Sequence, residues 1–89
     1  MDKIANACIR YKRKSDPNKY WYSVHPNHSG CYHIFSMLEI YDRYDEKEGF
    51  VTEGGRFVDR HEAYLIAKNA GQLVNEDPSE ILKSYNVRY

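Results

Sequence analysis

The chain has 89 residues, room for one domain whose small core makes assembly with further copies an expectation. Thirteen Lys and Arg balance thirteen Asp and Glu, which argues against a generic nucleic-acid binder and against duplex nucleic acid as a partner, because sequence-independent duplex affinity comes from a basic excess; any anion site must be local. No apolar run approaches the roughly 20 residues of a membrane span, and Met1-Asp-Lys-Ile-Ala-Asn6 lacks a signal peptide's apolar core, so a cytosolic protein with no membrane partner is expected.

In chain order, Ile4 to Lys12 is compatible with a strand, Ser15-Asp-Pro-Asn18 supplies turn chemistry, and Lys19-Tyr-Trp-Tyr-Ser-Val24 resumes a strand pattern, so residues 4–24 read as an antiparallel hairpin. Pro26 to Gly30 reads as a loop. Tyr32, Phe35, Leu38 and Tyr41 then recur at helical spacing, predicting a helix over 31–44, with the charged stretch from Asp42 to Glu48 running out of it as a connector. Phe50-Val-Thr52 and Arg56-Phe-Val58, separated by Glu53-Gly-Gly55, suit either a small hairpin or a glycine-stiffened loop.

Asp59 and Glu62 read as a capping box, Ala63, Ile66, Ala67 and Ala70 form one helical stripe, and Gly71 supplies a left-handed stop, predicting a helix over 60–70. Asp77-Pro-Ser-Glu80 repeats the start signal and predicts a last short helix over 78–85. The class is therefore α+β: an N-terminal antiparallel sheet followed by two or three short helices in a single small domain, expected to be oligomeric.

Two constellations could carry chemistry. His25, His28, Cys31 and His33 are ligand types that zinc prefers, but their spacing matches no standard site and no second cluster completes them, so no metal or other cofactor is expected. Cys31 with His28 or His33 lacks an implied third group to orient a catalytic pair, and with no Walker, Rossmann or nucleophile-elbow motif the chain is not expected to be an enzyme. Cys8 and Cys31 are too few for a disulfide framework, so free thiols are the default.

The second constellation is a binding site. Arg56 and Arg60 flank the expected start of the 60–70 helix, where guanidinium forks and the positive dipole end suit a phosphate, while His33 in a first helical turn could donate to an anion. Phe57, Phe50 and Trp21 add rings for a nucleobase, although Phe50 and Phe57 suit packing as well. On this reading Arg60→Ala weakens ligand binding by orders of magnitude and leaves the melting temperature nearly unchanged. The rival is a protein-interaction module that inhibits a host protein through an aromatic surface, which exposure of Tyr20, Trp21 and Tyr22 with no enclosed pocket would mark.

The segment Gly49-Phe-Val-Thr-Glu-Gly-Gly-Arg-Phe-Val-Asp-Arg-His-Glu-Ala63, with Ile66-Ala-Lys-Asn-Ala-Gly-Gln72, resembles small phage proteins that include the type-one Thoeris anti-defence sponges. The resemblance covers about His33 to Leu73 and is specific in its second half. Cys31-Tyr32-His33 keeps at most one histidine of the family's usual pair. The resemblance implies a non-enzymatic sink for a cyclic ADP-ribose-type messenger, held between subunits of a dimer or higher homo-oligomer and antagonising bacterial TIR-based defence in the host cytoplasm. It carries over Phe50, Arg56, Phe57 and Arg60, and His33 less directly.

Overall fold

A computed structural model describes residues 2–89. Its elements are β1 (Ile4–Arg13), β2 (Asp16–His25), α1 (His28–Met37), β3 (Arg43–Thr52), β4 (Phe57–Asp59) and α2 (Arg60–Asn69), followed by one 3-10 turn, Ser84–Asn86. The strands form one antiparallel sheet in the order β2-β1-β3-β4, an α+β domain with two α-helices.

The period of two along β1 decides which side is filled. Ala7, Ile9 and Tyr11 point to one face and join a single buried cluster with Cys31 and Phe35 of α1, Phe50 and Val58 of the sheet, and Ala63, Tyr64 and Ala67 of α2. Both helices therefore cover the same face. An irregularity between Ile4 and Asn6 lets Ile4 share that face, and a second places Tyr11 opposite both Asp45 and Glu46, with Asp45 at φ 53°. Asn6, Cys8, Arg10 and Lys12 fall on the other face, which carries no helix.

Helix α1 starts at His28 rather than residue 31, because the Asn27 side chain accepts from the Gly30 N–H at 2.7 Å. It ends at Met37 rather than 44. Glu39 turns left-handed (φ 55°), and the Ile40 and Glu39 N–H groups close back on the Phe35 and Ser36 carbonyls at 2.9 and 3.3 Å. The expected connector from Asp42 to Glu48 is instead the first half of β3, a charged strand held by its register with β1. Helix α2 forms where expected with half of its capping box: the Asp59 side chain accepts from the Glu62 N–H at 2.8 Å, the Glu62 carboxylate turns instead to Arg56, and Gly71 (φ 71°) and Gln72 close the far end on the Lys68 and Ala67 carbonyls.

No α-helix forms over 78–85. Asp77 accepts from the Ser79 N–H and hydroxyl at 2.9 and 2.7 Å, Glu80 bonds back to the Asp77 carbonyl, and Glu80 turns left-handed at φ 53°. The cap chemistry is thus spent on a turn. Beyond it the Leu82 N–H bonds to the Arg60 carbonyl at 2.9 Å, so the backbone a helix would use is committed to α2. The C-terminal run is tied in through buried Gln72, whose amide bonds to both the N–H and the carbonyl of Ile4 at 2.8 Å.

Candidate functional site

Five of the six ligand residues expected from the sequence do not converge. Arg60 is internal: one nitrogen donates to the Leu82 carbonyl at 2.8 Å and another to the Glu48 carboxylate, which also takes the Tyr32 hydroxyl at 2.5 Å. That hydroxyl bond chiefly holds the Glu48 carboxyl below its ordinary range, with Arg60 adding to it, and pushes Tyr32 up to about 12. Arg56 is exposed and lies on Glu62 at 2.5 Å. With Asp59 and Glu62 already at its first turn, the start of α2 presents carboxylates where a phosphate was expected.

Phe50 is 0% exposed, with its ring 5.0 Å from the edge-on ring of His28, and serves the core. His33 is exposed on α1. Trp21 lies on the helix-bearing side, opposite Tyr11, with Lys19 Nζ 4.3 Å and Arg13 Cζ 5.6 Å from its ring. Among the described residues no group of three or more His, Cys, Asp or Glu side chains is placed to hold a metal ion. His28 is instead structural, bonded at 2.8 Å to both the Ser84 hydroxyl and the Gly49 carbonyl, and burial pushes its pKa down. Cys8 and Cys31 are free and buried; burial pushes Cys8 up to about 12, so it is not a thiolate nucleophile.

Phe57 is the expected residue that does reach a cluster, and it does so on the open face of the sheet. Register places Tyr22, Arg10 and Lys47 directly opposite one another across β2, β1 and β3, with Lys12 opposite Tyr44 one step along. The Arg10 guanidinium carbon lies 4.2 Å from the Tyr20 ring centroid and 4.9 Å from that of Phe57, and the Phe57 ring is 6.1 Å from Tyr22. Lys12 Nζ sits 5.0 Å from the same Tyr20 ring. Gly49 makes room for this arrangement, because an added methyl there would run into the Val58 carbonyl and lie 2.6 Å from Phe57 Cζ.

The electrostatics of this face differ from those of the rest of the surface. Arg13, Arg43, Arg56 and Arg60 each have a carboxylate: Asp42, Glu46, Glu62 and Glu48. Among the described residues Arg10, Lys12 and Lys47 of this face have none, a state they share with Lys14 and Arg88, and the Arg10 Nε–H is in addition buried without a hydrogen-bond partner. Arg10 and Lys47 are like charges directly opposite on paired strands, an arrangement that costs folding stability. A half-desolvated cation without an anion beside it is a place where an anionic ligand gains most. The signal in the sequence was the alternation of Arg10 and Lys12 with Ile9 and Tyr11, which puts the cations on the side opposite the core.

A family model described as phage T4 y16D protein matches residues 3–87, nearly the whole chain and all of both constellations. The chain belongs to that family. This y16D-family chain is thus a small phage protein. No curated protein and no solved structure matches it. No helix among its described residues is long and apolar enough to cross a membrane.

Proposed function

We propose that this y16D-family protein holds a nucleotide-type ligand, a base with its phosphate, on the open face of its sheet and releases it unchanged. The observation that carries the reading is Arg10: flanked by two rings, opposite Lys47, and without a carboxylate among the described residues. Rings at Tyr20, Tyr22 and Phe57 supply stacking faces, and the guanidinium and ammonium groups supply the anion contacts. Binding without chemistry is supported by the composition of the face, where the one thiol, Cys8, is buried and protonated.

The narrower form of this reading is a sponge for a cyclic ADP-ribose-type messenger that antagonises host defence from the host cytoplasm, as the resemblance to the Thoeris sponges implies. Such a ligand has the required base and pyrophosphate, and a second copy laid over the open face would enclose it. Calorimetric titration with ADP-ribose, its cyclic isomers and AMP tests the general reading. Binding that is lost in Arg10→Ala and kept in Arg56→Ala supports it, as does intact ligand recovered from the heated complex by mass spectrometry. Equal affinity in wild type and Arg10→Ala sinks it. Sedimentation with and without cyclic ADP-ribose separates the sponge, whose ligand draws copies together, from a monomeric binder.

A second reading is favoured by the exposure of Tyr20 (39%) and Tyr22 (50%), residues that anchor protein interfaces. It is the interaction module that inhibits a host protein. A host-protein complex that persists without nucleotide and is broken by Tyr22→Ala supports it, and one indifferent to that change removes it.

A further inference from the structure

We infer that the ligand of the open face is a single-stranded nucleic acid laid across the sheet, an inference that rests on the nucleotide reading and names the ligand's class. Shape is the first ground. Small ligands are held in concave sites that bury most of their surface. Two hollows lie elsewhere, between α2 and the C-terminal run, and Glu76 lines both together with Lys68, its ion-pair partner at 3.4 Å, so the one cation there is already matched by a carboxylate. The open face is a platform. A single nucleotide on it leaves much of its surface in water, whereas a strand adds one stacking contact after another.

Repetition is the second ground. Tyr20, Tyr22, Tyr44 and Phe57 come from β2, β3 and β4, with Arg10, Lys12 and Lys47 between them on β1 and β3. From Tyr44 to Val51 along β3 the face runs roughly 23 Å at about 3.3 Å per residue, and from β2 to β4 it is roughly 14 Å across at about 4.8 Å per strand. Those dimensions exceed one base. A sheet that stacks two or three bases on surface rings while cations take the backbone is an established physical solution for single strands, and rings accept any base because every base has a flat face.

The exposure of base faces is the third ground, and it decides against a duplex. The whole chain has no net charge, so no nucleic acid gains from a long-range field and close contacts must carry the affinity. In a duplex the flat faces of the bases are also covered by their neighbours, which leaves Tyr20 and Phe57 nothing to stack on. With Arg10, Lys12 and Lys47 as the phosphate contacts, affinity for a single strand should fall with salt at a log–log slope of about −2.

Fluorescence anisotropy with labelled oligothymidylates of increasing length, the matching duplex, and AMP or ADP-ribose as competitors tests this. The expected result is affinity that rises with length and then levels off, weak competition by the mononucleotides and the duplex, and a salt slope of about −2. Tyr20→Ala should lose roughly tenfold to a hundredfold in affinity. Lys47→Gln, which relieves the like-charge pair with Arg10, should flatten the slope by about 0.7 without lowering the melting temperature, so its reading does not depend on a destabilised variant. Length-independent binding in which AMP or ADP-ribose competes equally overturns the single-strand inference and leaves the nucleotide reading standing. Duplex binding as tight as single-strand binding overturns it as well. Binding of none of these probes removes both.

Discussion

Arg60→Ala separates a ligand-binding arginine from a structural one. The sequence alone gives an arginine at a helix start that is free for an anion, and so a variant with an unchanged melting temperature. In the structure the guanidinium joins three segments: its own helix α2, Glu48 on β3 and the Leu82 carbonyl of the C-terminal run. The side chains of Arg60 and Glu48 are 26% and 34% exposed, so their ion pair is partly solvated and contributes no more than about 1 kcal/mol. The charged hydrogen bond to the Leu82 carbonyl adds about 1.5 kcal/mol, the low end of its class because water can reach the site once the side chain is gone. A loss of about 2 kcal/mol lowers the melting temperature of a domain this size by roughly 8–16 °C. Thermal and urea unfolding followed by circular dichroism measure it. Arg60→Lys should fall between, keeping the charge and losing the fork. Arg56→Ala, on an exposed pair, should stay within about 0.5 kcal/mol of wild type. An Arg60→Ala protein that melts with the wild type would refute the structural role.

Glu39→Gly should raise stability by about 1 kcal/mol in a urea titration, because Glu39 holds a left-handed φ of 55° that glycine adopts without penalty; Glu39→Ala should give no such gain. Acid unfolding should come in two stages. Burial lowers the folded pKa of His28 below the ordinary 6.5, so the unfolded chain takes up the proton first and stability declines as pH falls below about 6.5, a stage absent in His28→Gln. The Arg13 hydrogen bond to Asp42 and the Ser79 backbone bond to Asp77 hold both carboxyls at about 2, so their contribution is complete above 3.8 and is lost as pH falls toward 2. Lys47→Glu should raise the melting temperature slightly, by turning a like-charge pair with Arg10 into an opposite-charge one, and should abolish oligonucleotide binding measured by anisotropy. A less stable variant, or one that binds as wild type, would contradict the pairing.

What was legible in the chain was what is encoded locally. The start and stop of α2 depend on Asp59 and Gly71 at its own ends, and the turn joining β3 to β4 depends on Gly55 (φ 87°) within it. Segments whose state is set from a distance were misread. Residues 43–48 have no apolar face and become a strand because β1 supplies their hydrogen bonds, while 78–85 carries a good helix start that loses to bonds between Leu82 and Arg60. The end of helix α1 is not legible locally because its stop is a glutamate rather than a glycine. The same holds for the candidate site: the carboxylates that occupy the arginines at the start of α2, Glu48 for Arg60 and Glu62 for Arg56, reach them only through the fold.

Zero net charge therefore carries less information than it suggests. Acidic groups are spread unevenly between the faces: Asp42, Glu46 and Glu48 are consumed one by one by arginines that tie loops, helices and strand ends together, as is Glu62 by Arg56. Neutrality reached in this way is local, and it leaves Arg10, Lys12 and Lys47 without counterparts among the described residues. Those cations cannot be relieved by small shifts, because the pleat fixes Arg10 against Lys47 and the rings of Tyr20 and Phe57 fix the guanidinium in place. The fold carries a small electrostatic penalty on one face, which the anion of the proposed ligand would remove on arrival. Because the cations are already held in place, such binding would put its free energy into affinity rather than into ordering the protein.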